Sequence, residues 1–327
     1  MSSLRLVAAL ACMLVLAGCS QSSLPGGGGD GGGDRPGAVA ENTCWTATGL
    51  GLDPQDVLAL SKRFGVPYLE AARAVAGRPS FAHQVDCRKD HAIEVYKVLR
   101  LPTLDGQLTD YATLLRAQAP LYAQVARAVS SGCMTDVLAK AVARAGVDAA
   151  VMSPVLPEGA TLGWAPAAPD RWVKGERVFA CTLTWKEPGA VRYAAVFTRA
   201  MPTDERTCID SKALVFVDCA RRHDRERIAL IDVRQAVAAG TFPGGKAVRD
   251  GPNGRYLDLP DARWKKLDAA CTAYLRSISA TKRLTGVANV DTDDWPTPDG
   301  TYPVYCDADT GPDHDPLVTE GSVYDRG

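Results

Sequence analysis

Two histidine–glutamate pairs are the residues in this sequence best suited to chemistry. They belong to the pattern V-D-C-x-x-x-H-x-x-E, which occurs at residues 85–94 and again at residues 217–226. Imidazole nitrogens and carboxylate oxygens are common metal ligands, so a matched pair of such motifs invites a metal or catalytic interpretation. The candidate contact residues are Asp86, His91, Glu94, Asp218, His223 and Glu226.

The spacing within the motif argues against a metal site. On an extended strand, residues i and i+3 point to opposite faces, so His91 and Glu94 diverge unless the chain turns between them. The pattern also lacks the second histidine of a helical H-E-x-x-H zinc site. We therefore predict that these side chains satisfy backbone groups where the chain leaves the cysteine and enters the next strand. Contact with a ligand or partner is the second interpretation. No metal or other cofactor is predicted.

Other catalytic patterns in the sequence are weaker. Ser279 and Lys282 match the S-x-x-K pattern of penicillin-binding enzymes, but the accompanying K-T-G and S-D-N elements are absent. The acidic stretches 291–294 and 307–315 lack the central glycine and terminal glutamate of a calcium loop, which favours solvated loops. Three tryptophans lie before the last cysteine of each half and are interpreted as core or turn anchors rather than sugar-binding platforms: Trp164, Trp172 and Trp295. No catalytic residue is assigned.

The charge balance excludes several classes of protein. The 327 residues include 37 Lys and Arg against 38 Asp and Glu, so the formal net charge is −1. Without a basic surplus, nucleic acid is not a predicted partner. Hydrophobic residues make up 46% of the chain, which is enough to build two ordinary cores.

The N-terminus predicts export and lipid anchoring. Arg5 precedes an apolar run from Leu6 to Leu16, which is well short of the ~20 residues of a permanent membrane span. Cys19 directly follows Leu-Ala-Gly, which resembles the lipobox of bacterial lipoproteins. Residues 1–18 are therefore predicted to be a signal peptide, with acylation of Cys19 as the membrane anchor. Residues 19–41, rich in glycine, are predicted to tether the folded part to the extracytoplasmic side of the cell membrane.

The remaining cysteines predict disulfide bonds. Ten cysteines in an exported chain point to an oxidising compartment, and no C-x₂-C pair typical of a zinc–thiolate site is present. Spacing alone leaves several pairings open, even if each half of the chain closes on itself. The pairs that we favour are Cys44–Cys87, Cys133–Cys181, Cys208–Cys219 and Cys271–Cys306.

The order of the cysteines and motifs indicates an internal duplication. Each half has the H-x-x-E motif, then a β-branched run, a helical segment with a cysteine, and a glycine six residues before the last cysteine. We predict an α+β fold of two tandem modules, residues 42–200 and 201–327. Each is expected to be a small antiparallel sheet packed with helices.

Local patterns add detail to these modules. Module 1 contains a predicted helical insertion at about residues 53–77, with Asp53 as a cap before Pro54. Apolar spacing predicts helices from Pro120 and from about Asp261. Residues 177–198 predict a hairpin around the turn Lys186–Gly189.

These ordered landmarks resemble the septum-formation domain family of actinobacterial envelope proteins. The resemblance is carried by Cys44-Trp45, Cys208, the two H-x-x-E motifs, the helical Cys133 and Cys271, and the closing segment after Cys306. It covers most of residues 44–327. The resemblance implies an extracytoplasmic, membrane-associated protein linked to septation, and it implies no enzymatic activity.

The sequence therefore predicts a non-enzymatic envelope lipoprotein, not an enzyme. Its two modules are expected to present a binding or scaffolding surface to an unknown envelope protein or cell-wall component. The alternative is an exported metal-dependent or acyl-transfer enzyme that uses the His/Glu motifs or Ser279 and Lys282. A third possibility is a carrier of a small ligand, for which a deep cleft between the modules would be the sign.

Overall fold

The computed structural model describes most of the chain after residue 39. The described residues are 40–47, 52–157, 159–196, 203, 206–210, 213, 215–244, 247–251, 254–279, 284–290, 295–298, 300–309 and 321–324. Arg35–Gly327 form one compact unit. None of the described helices has the length and apolarity needed to cross a bilayer.

Module 1 is built on a five-stranded antiparallel sheet. Its strands are β1 (Thr43–Ala47), β2 (Phe81–Val85), β3 (His91–Leu99), β5 (Ala160–Pro166) and β6 (Phe179–Gly189). The strand order is β2-β1-β3-β6-β5, and all four strand pairs are antiparallel. This arrangement places the two ends of the first motif on β2 and β3, the two strands that flank β1.

Module 2 repeats the topology of module 1. Its strands are β7 (Thr207–Asp210), β8 (Val215–Asp218), β9 (Arg225–Asp232), β12 (Thr285–Asn289) and β13 (Pro303–Asp309). Read from β8, the order is β8-β7-β9-β13-β12, which matches that of module 1 strand for strand. The fold is thus α+β with two antiparallel sheets, and the shared order supports the duplication inferred from the sequence. A separate hairpin joins β10 (Ala247–Gly251) to β11 (Gly254–Leu257).

The helices occupy comparable places in the two modules. α3 (Pro120–Cys133) and α8 (Asp261–Ile278) each carry the helical cysteine of their module. The insertion in module 1 forms α1 (Pro54–Phe64) and α2 (Tyr68–Val75), with Asp53 accepting a hydrogen bond from the Gln55 amide. The remaining elements are the 3₁₀ helix Tyr111–Leu115, α4 (Asp136–Ala145), α5 (Pro169–Val173), α6 (Tyr193–Val196) and α7 (Arg234–Ala238).

One segment of module 1 is structurally part of module 2. β4 (Val151–Pro154) pairs with β9, and α4 packs on α8. Leu138 and Met152 belong to the same apolar core as Leu267 and Tyr274. The exchange is possible because β7 covers β9 only at its beginning, which leaves a free edge farther along. Residues 136–154, assigned by the sequence to module 1, therefore complete the sheet and core of module 2.

The predicted hairpin of residues 177–198 is wrong. Strand β6 continues without a turn through Pro188 to Gly189, and the chain then forms α6. Proline is tolerated here because it lies near the end of the strand, where few ladder hydrogen bonds remain to be donated. The partners of β6 are β3 and β5 instead of the residues that follow it.

Gly286 shows how closely the helix of module 2 approaches its sheet. A Cβ atom added at Gly286 would lie 2.3 Å from the carbonyl carbon of Cys271 and 2.3 Å from the amide nitrogen of Thr272. The Thr272 hydroxyl also bonds both the amide and the carbonyl of Gly286. Strand β12 can pack against the backbone of α8 only because position 286 has no side chain.

Candidate functional site

The eight cysteines of the modules form four disulfide bonds. The pairs are Cys44–Cys87, Cys133–Cys181, Cys208–Cys219 and Cys271–Cys306. These are the pairs favoured by the sequence, and all four lie within their own module. In each module one bond joins the first strand, β1 or β7, to the cysteine of the motif. The other bond joins the helix, α3 or α8, to a strand of the sheet. Cys19 lies outside the described residues.

The two motif histidines are buried and bond to the local backbone. The Nδ1 atom of His91 lies 2.8 Å from the carbonyl oxygen of Lys89, and the Nδ1 atom of His223 lies 2.7 Å from that of Arg221. Their side chains are almost inaccessible to solvent. The same i to i−2 contact in both copies holds the turn between the disulfide and the next strand.

The first motif glutamate clamps the segment that follows β6. Glu94 lies on β3 opposite Cys44 of β1 and is 2% exposed. Its Oε2 atom accepts a hydrogen bond of 2.6 Å from the Tyr193 amide, and its Oε1 atom accepts one of 2.8 Å from the Arg192 Nε. A buried carboxylate without such donors would be strongly unfavourable, so these contacts fix the position of α6.

The second motif glutamate makes the equivalent contacts in module 2. Glu226 lies opposite Cys208 and is also 2% exposed. Its Oε2 atom accepts a hydrogen bond of 2.6 Å from the Val323 amide, and its Oε1 atom accepts one of 2.7 Å from the Ser322 hydroxyl. The Gly321 amide also donates to the carbonyl of Cys219 at 2.8 Å. In each copy, the glutamate therefore anchors the closing segment of its own module.

The motif aspartates differ from the glutamates. Asp86 is exposed and pairs with Arg88 at 2.6 Å, and hydrogen bonds from Arg88 hold the pKa of the Asp86 carboxyl well below its usual range. Asp218 is half-buried and pairs with Thr207 in the β7–β8 ladder. Neither aspartate joins the glutamate clamp of its module.

The expectation that His91 and Glu94 diverge is wrong. A bulge between His91 and Ile93 shifts the register of β3 against β6, so the side-chain alternation is interrupted between the two residues. As a result, ligand-type atoms of Cys44, His91 and Glu94 lie within 4.8 Å of one another. In module 2, His223 precedes the strand, which begins at Arg225.

This convergence does not produce a good metal site. The Cys44 sulfur is bonded to Cys87 and is not a thiolate, and both Glu94 oxygens already accept hydrogen bonds. The second convergent group, Cys208, Cys219 and Glu226, includes both sulfurs of a disulfide. The arrangement matches the structural role predicted for the motifs, in which the imidazole and the carboxylate satisfy backbone groups.

The S-x-x-K pattern of Ser279 and Lys282 gains no support from Ser279, the residue of the pair that the structure describes. Ser279 ends α8 and is 8% exposed, so its hydroxyl is poorly placed to meet a substrate. Lys282 lies outside the described residues, as do 291–294 and 310–315 of the acidic stretches. The described beginning of the second stretch, Asp307–Asp309, belongs to strand β13.

No protein-family model, curated protein or solved structure matches this chain. The site is therefore interpreted from its own geometry.

A cleft lies between the two modules, where the sequence analysis named a cleft as the sign of a small-ligand carrier, but its lining residues were not predicted. It has a volume of about 630 Å³. We call it the intermodule cleft and define it by residues from α3, both sheets and β4: Tyr96, Tyr122, Ala126, Met152, Trp164 and Leu230. Of the three tryptophans interpreted as core or turn anchors, Trp172 and Trp295 are buried, whereas Trp164 is half-buried and lines this cleft.

Alkaline pH is expected to destabilise the folded chain between about pH 10 and pH 12. Burial raises the pKa of Tyr324 from 10.0 to about 12, and burial also raises the pKa of Tyr96, Tyr193 and Tyr274. In the unfolded chain these tyrosines ionise near their ordinary pKa of 10.0, whereas in the folded chain they keep their protons to a higher pH. The tyrosine contribution is therefore complete below about pH 10 and declines as the pH rises through the raised pKa of each tyrosine, which for Tyr324 is about 12. Tyr324 alone corresponds to ~3 kcal/mol.

Denaturant unfolding across this range checks the expectation. The Tyr324→Phe variant removes one titrating hydroxyl and is expected to lose less stability than the parent protein over the same interval. An identical pH dependence in the two proteins would show that Tyr324 does not contribute.

Proposed function

We propose that this chain is an exported, lipid-anchored, non-enzymatic binding protein of the cell envelope. The observation that carries the proposal is that the residues best suited to chemistry, the module cysteines and the motif glutamates, have structural roles. All eight module cysteines are in disulfides, and the two motif glutamates hold the closing segments. Disulfides persist in oxidising compartments, which supports an extracytoplasmic location.

The sequence of the N-terminus supports the anchor. A signal peptide that ends in Leu-Ala-Gly before Cys19 provides the acylation site. Two or three acyl chains, each contributing ~0.8 kcal/mol per buried CH₂, would hold the protein stably on the membrane. The resemblance to the septum-formation domain family points to a partner in the envelope or cell wall during septation.

Metabolic labelling with a radioactive fatty acid tests the anchor. Cys19→Ala is expected to abolish the label and release the protein from the membrane fraction. Cys12→Ala is the matched control, because Cys12 lies within the apolar run of the signal, and it should keep both properties. Label that persists in Cys19→Ala would overturn the assignment.

Metal analysis tests the non-enzymatic part of the proposal. We expect the purified protein to contain no stoichiometric zinc before or after His91→Ala. One equivalent of zinc that is lost in His91→Ala, together with a hydrolytic activity, would favour the exported enzyme instead.

A further inference from the structure

We infer that the intermodule cleft binds an uncharged, predominantly apolar small molecule. This inference rests on the proposed function, because it gives a binding protein its ligand class. The volume of about 630 Å³ falls within the ~300–1,000 Å³ typical of sites that enclose small molecules. Both modules contribute walls, with Tyr96 and Trp164 from the first sheet and Leu230 from the second.

Apart from Tyr122, the face of α3 that borders the cleft has short side chains. Val125 and Val129 point from α3 into the core of module 1. Ala123, Ala126 and Ser130 are spaced by three or four residues on another face and line the cleft. Residues at this spacing share one side of a helix, and side chains this short leave the space toward module 2 unfilled.

The charges in the cleft indicate an uncharged ligand. Asp232 and Arg234 are the charged side chains among the described lining residues. They pair with each other at 3.1 Å, so neither sign of charge is in excess there. A charged ligand would have to lose its hydration without an unpaired opposite charge to replace it, which is unfavourable.

The hydrogen-bonding groups indicate that most of the ligand is apolar. The Tyr122 hydroxyl donates to the Ala74 carbonyl at 2.9 Å, and the Tyr96 hydroxyl donates to the Cys133 carbonyl at 3.4 Å. Both hydroxyls therefore already donate within the protein, which leaves four other lining side chains to meet polar groups of a ligand: Ser130, Ser153, Gln235 and Trp164. A hydroxyl-rich ligand such as a sugar would leave many polar groups unpaired in the cleft, whereas methylene and ring groups would not.

The walls of the cleft are held in place before any ligand enters. The Cys133–Cys181 disulfide joins α3 to β6, and Tyr96 stacks on Tyr193 with ring centroids 3.7 Å apart. Lys97 also donates from Nζ to the Gly132 carbonyl at 2.6 Å. A preformed cavity reduces the ordering cost of binding, which favours a small-molecule site.

Fluorescence titration with N-phenyl-1-naphthylamine tests the inference. This probe is uncharged and brightens in apolar surroundings. The secreted chain from Ser20 contains the whole compact unit and all four disulfides, so detergent is not needed. We expect one saturable site. The anionic probe 8-anilinonaphthalene-1-sulfonate should bind at least about tenfold more weakly.

Two matched pairs of variants locate the site. Ser130 lines the cleft and Ser131 is exposed, so Ser130→Trp should weaken probe binding roughly tenfold or more while Ser131→Trp stays within about twofold. Leu162 lines the cleft from β5, and its neighbour Thr161 is exposed. Leu162→Trp and Thr161→Trp therefore repeat the comparison if either helix variant fails to fold.

Three results would overturn the inference. They are the absence of saturable binding, equal weakening by the cleft variants and their exposed controls, and displacement of the probe by a chitin tetrasaccharide. A failed titration leaves the fatty-acid labelling of Cys19 unaffected, so the cleft and the lipid anchor can fail separately.

Discussion

The Glu226→Ala variant is expected to lose about 3–5 kcal/mol of unfolding free energy. The carboxylate of Glu226 is 2% exposed and accepts hydrogen bonds from the Ser322 hydroxyl and the Val323 amide. A hydrogen bond to a charged group contributes ~1.5–3 kcal/mol, and removing the acceptor leaves the buried amide without a partner. Denaturant unfolding under non-reducing conditions would measure the loss.

Two further variants separate the clamp from a general effect of charge. Glu226→Gln keeps one carbonyl acceptor and should lose about half as much stability. Asp218→Ala changes a half-buried acid of the same motif outside the clamp, so a change of about 0.5 kcal/mol or less is expected. Equal losses in Asp218→Ala and Glu226→Ala would rule out the clamp as the reason for the glutamate.

Replacing Cys133 and Cys181 together by alanine is expected to cost about 4 kcal/mol. The bond closes a separation of 48 residues, and a disulfide stabilises the fold mainly by restricting the unfolded chain. The effect should appear as a lower midpoint of denaturant unfolding. The other three disulfides of the variant should remain intact, so their cysteines should not react with an alkylating reagent.

The Cys208–Cys219 bond provides the matched comparison. It closes a separation of only 11 residues, so its double alanine variant should lose about 3 kcal/mol. Losing the Cys133–Cys181 bond should also weaken probe binding in the intermodule cleft, since Cys133 lines that cleft. Losing the shorter bond should leave probe binding unchanged. The reverse order of stability losses would contradict the chain-entropy explanation.

The local features of the fold were readable from the sequence because neighbouring residues determine them. Asp53 caps α1, Pro54 begins it and Gly65 ends it in the left-handed conformation, with φ of 62°. The spacing of apolar residues after Asp261 likewise predicted the whole length of α8. The matched cysteines predicted two similar modules, and the two sheets have the same strand order.

Features fixed by distant contacts were not readable. Pro188 and Gly189 have the composition of a turn, but β6 extends through them because its partners are β3 and β5. The bulge after His91 depends on the register between two strands and has no local signal. The sequence therefore predicted a role in satisfying the backbone for the motif, but it did not predict that His91 and Glu94 converge.

The residues that line the cleft were not predicted, for a related reason. Small residues such as Ala126 and Ser130 are common on exposed helix faces, so their spacing carries no signal for a cavity. The cavity depends on the sheet of module 2 standing opposite α3. Trp164 could have drawn attention, but its half-buried position between the modules depends on the assembled fold.

The placement of α4 and β4 in the second sheet and core makes module 2 structurally dependent on module 1. A polypeptide beginning at residue 201 would lack the strand that covers the free edge of β9 and the helix that packs on α8. Its unpaired edge and apolar helix face would favour self-association. Removing either module would thus expose apolar surface that the other now covers, so the two modules form one folding unit.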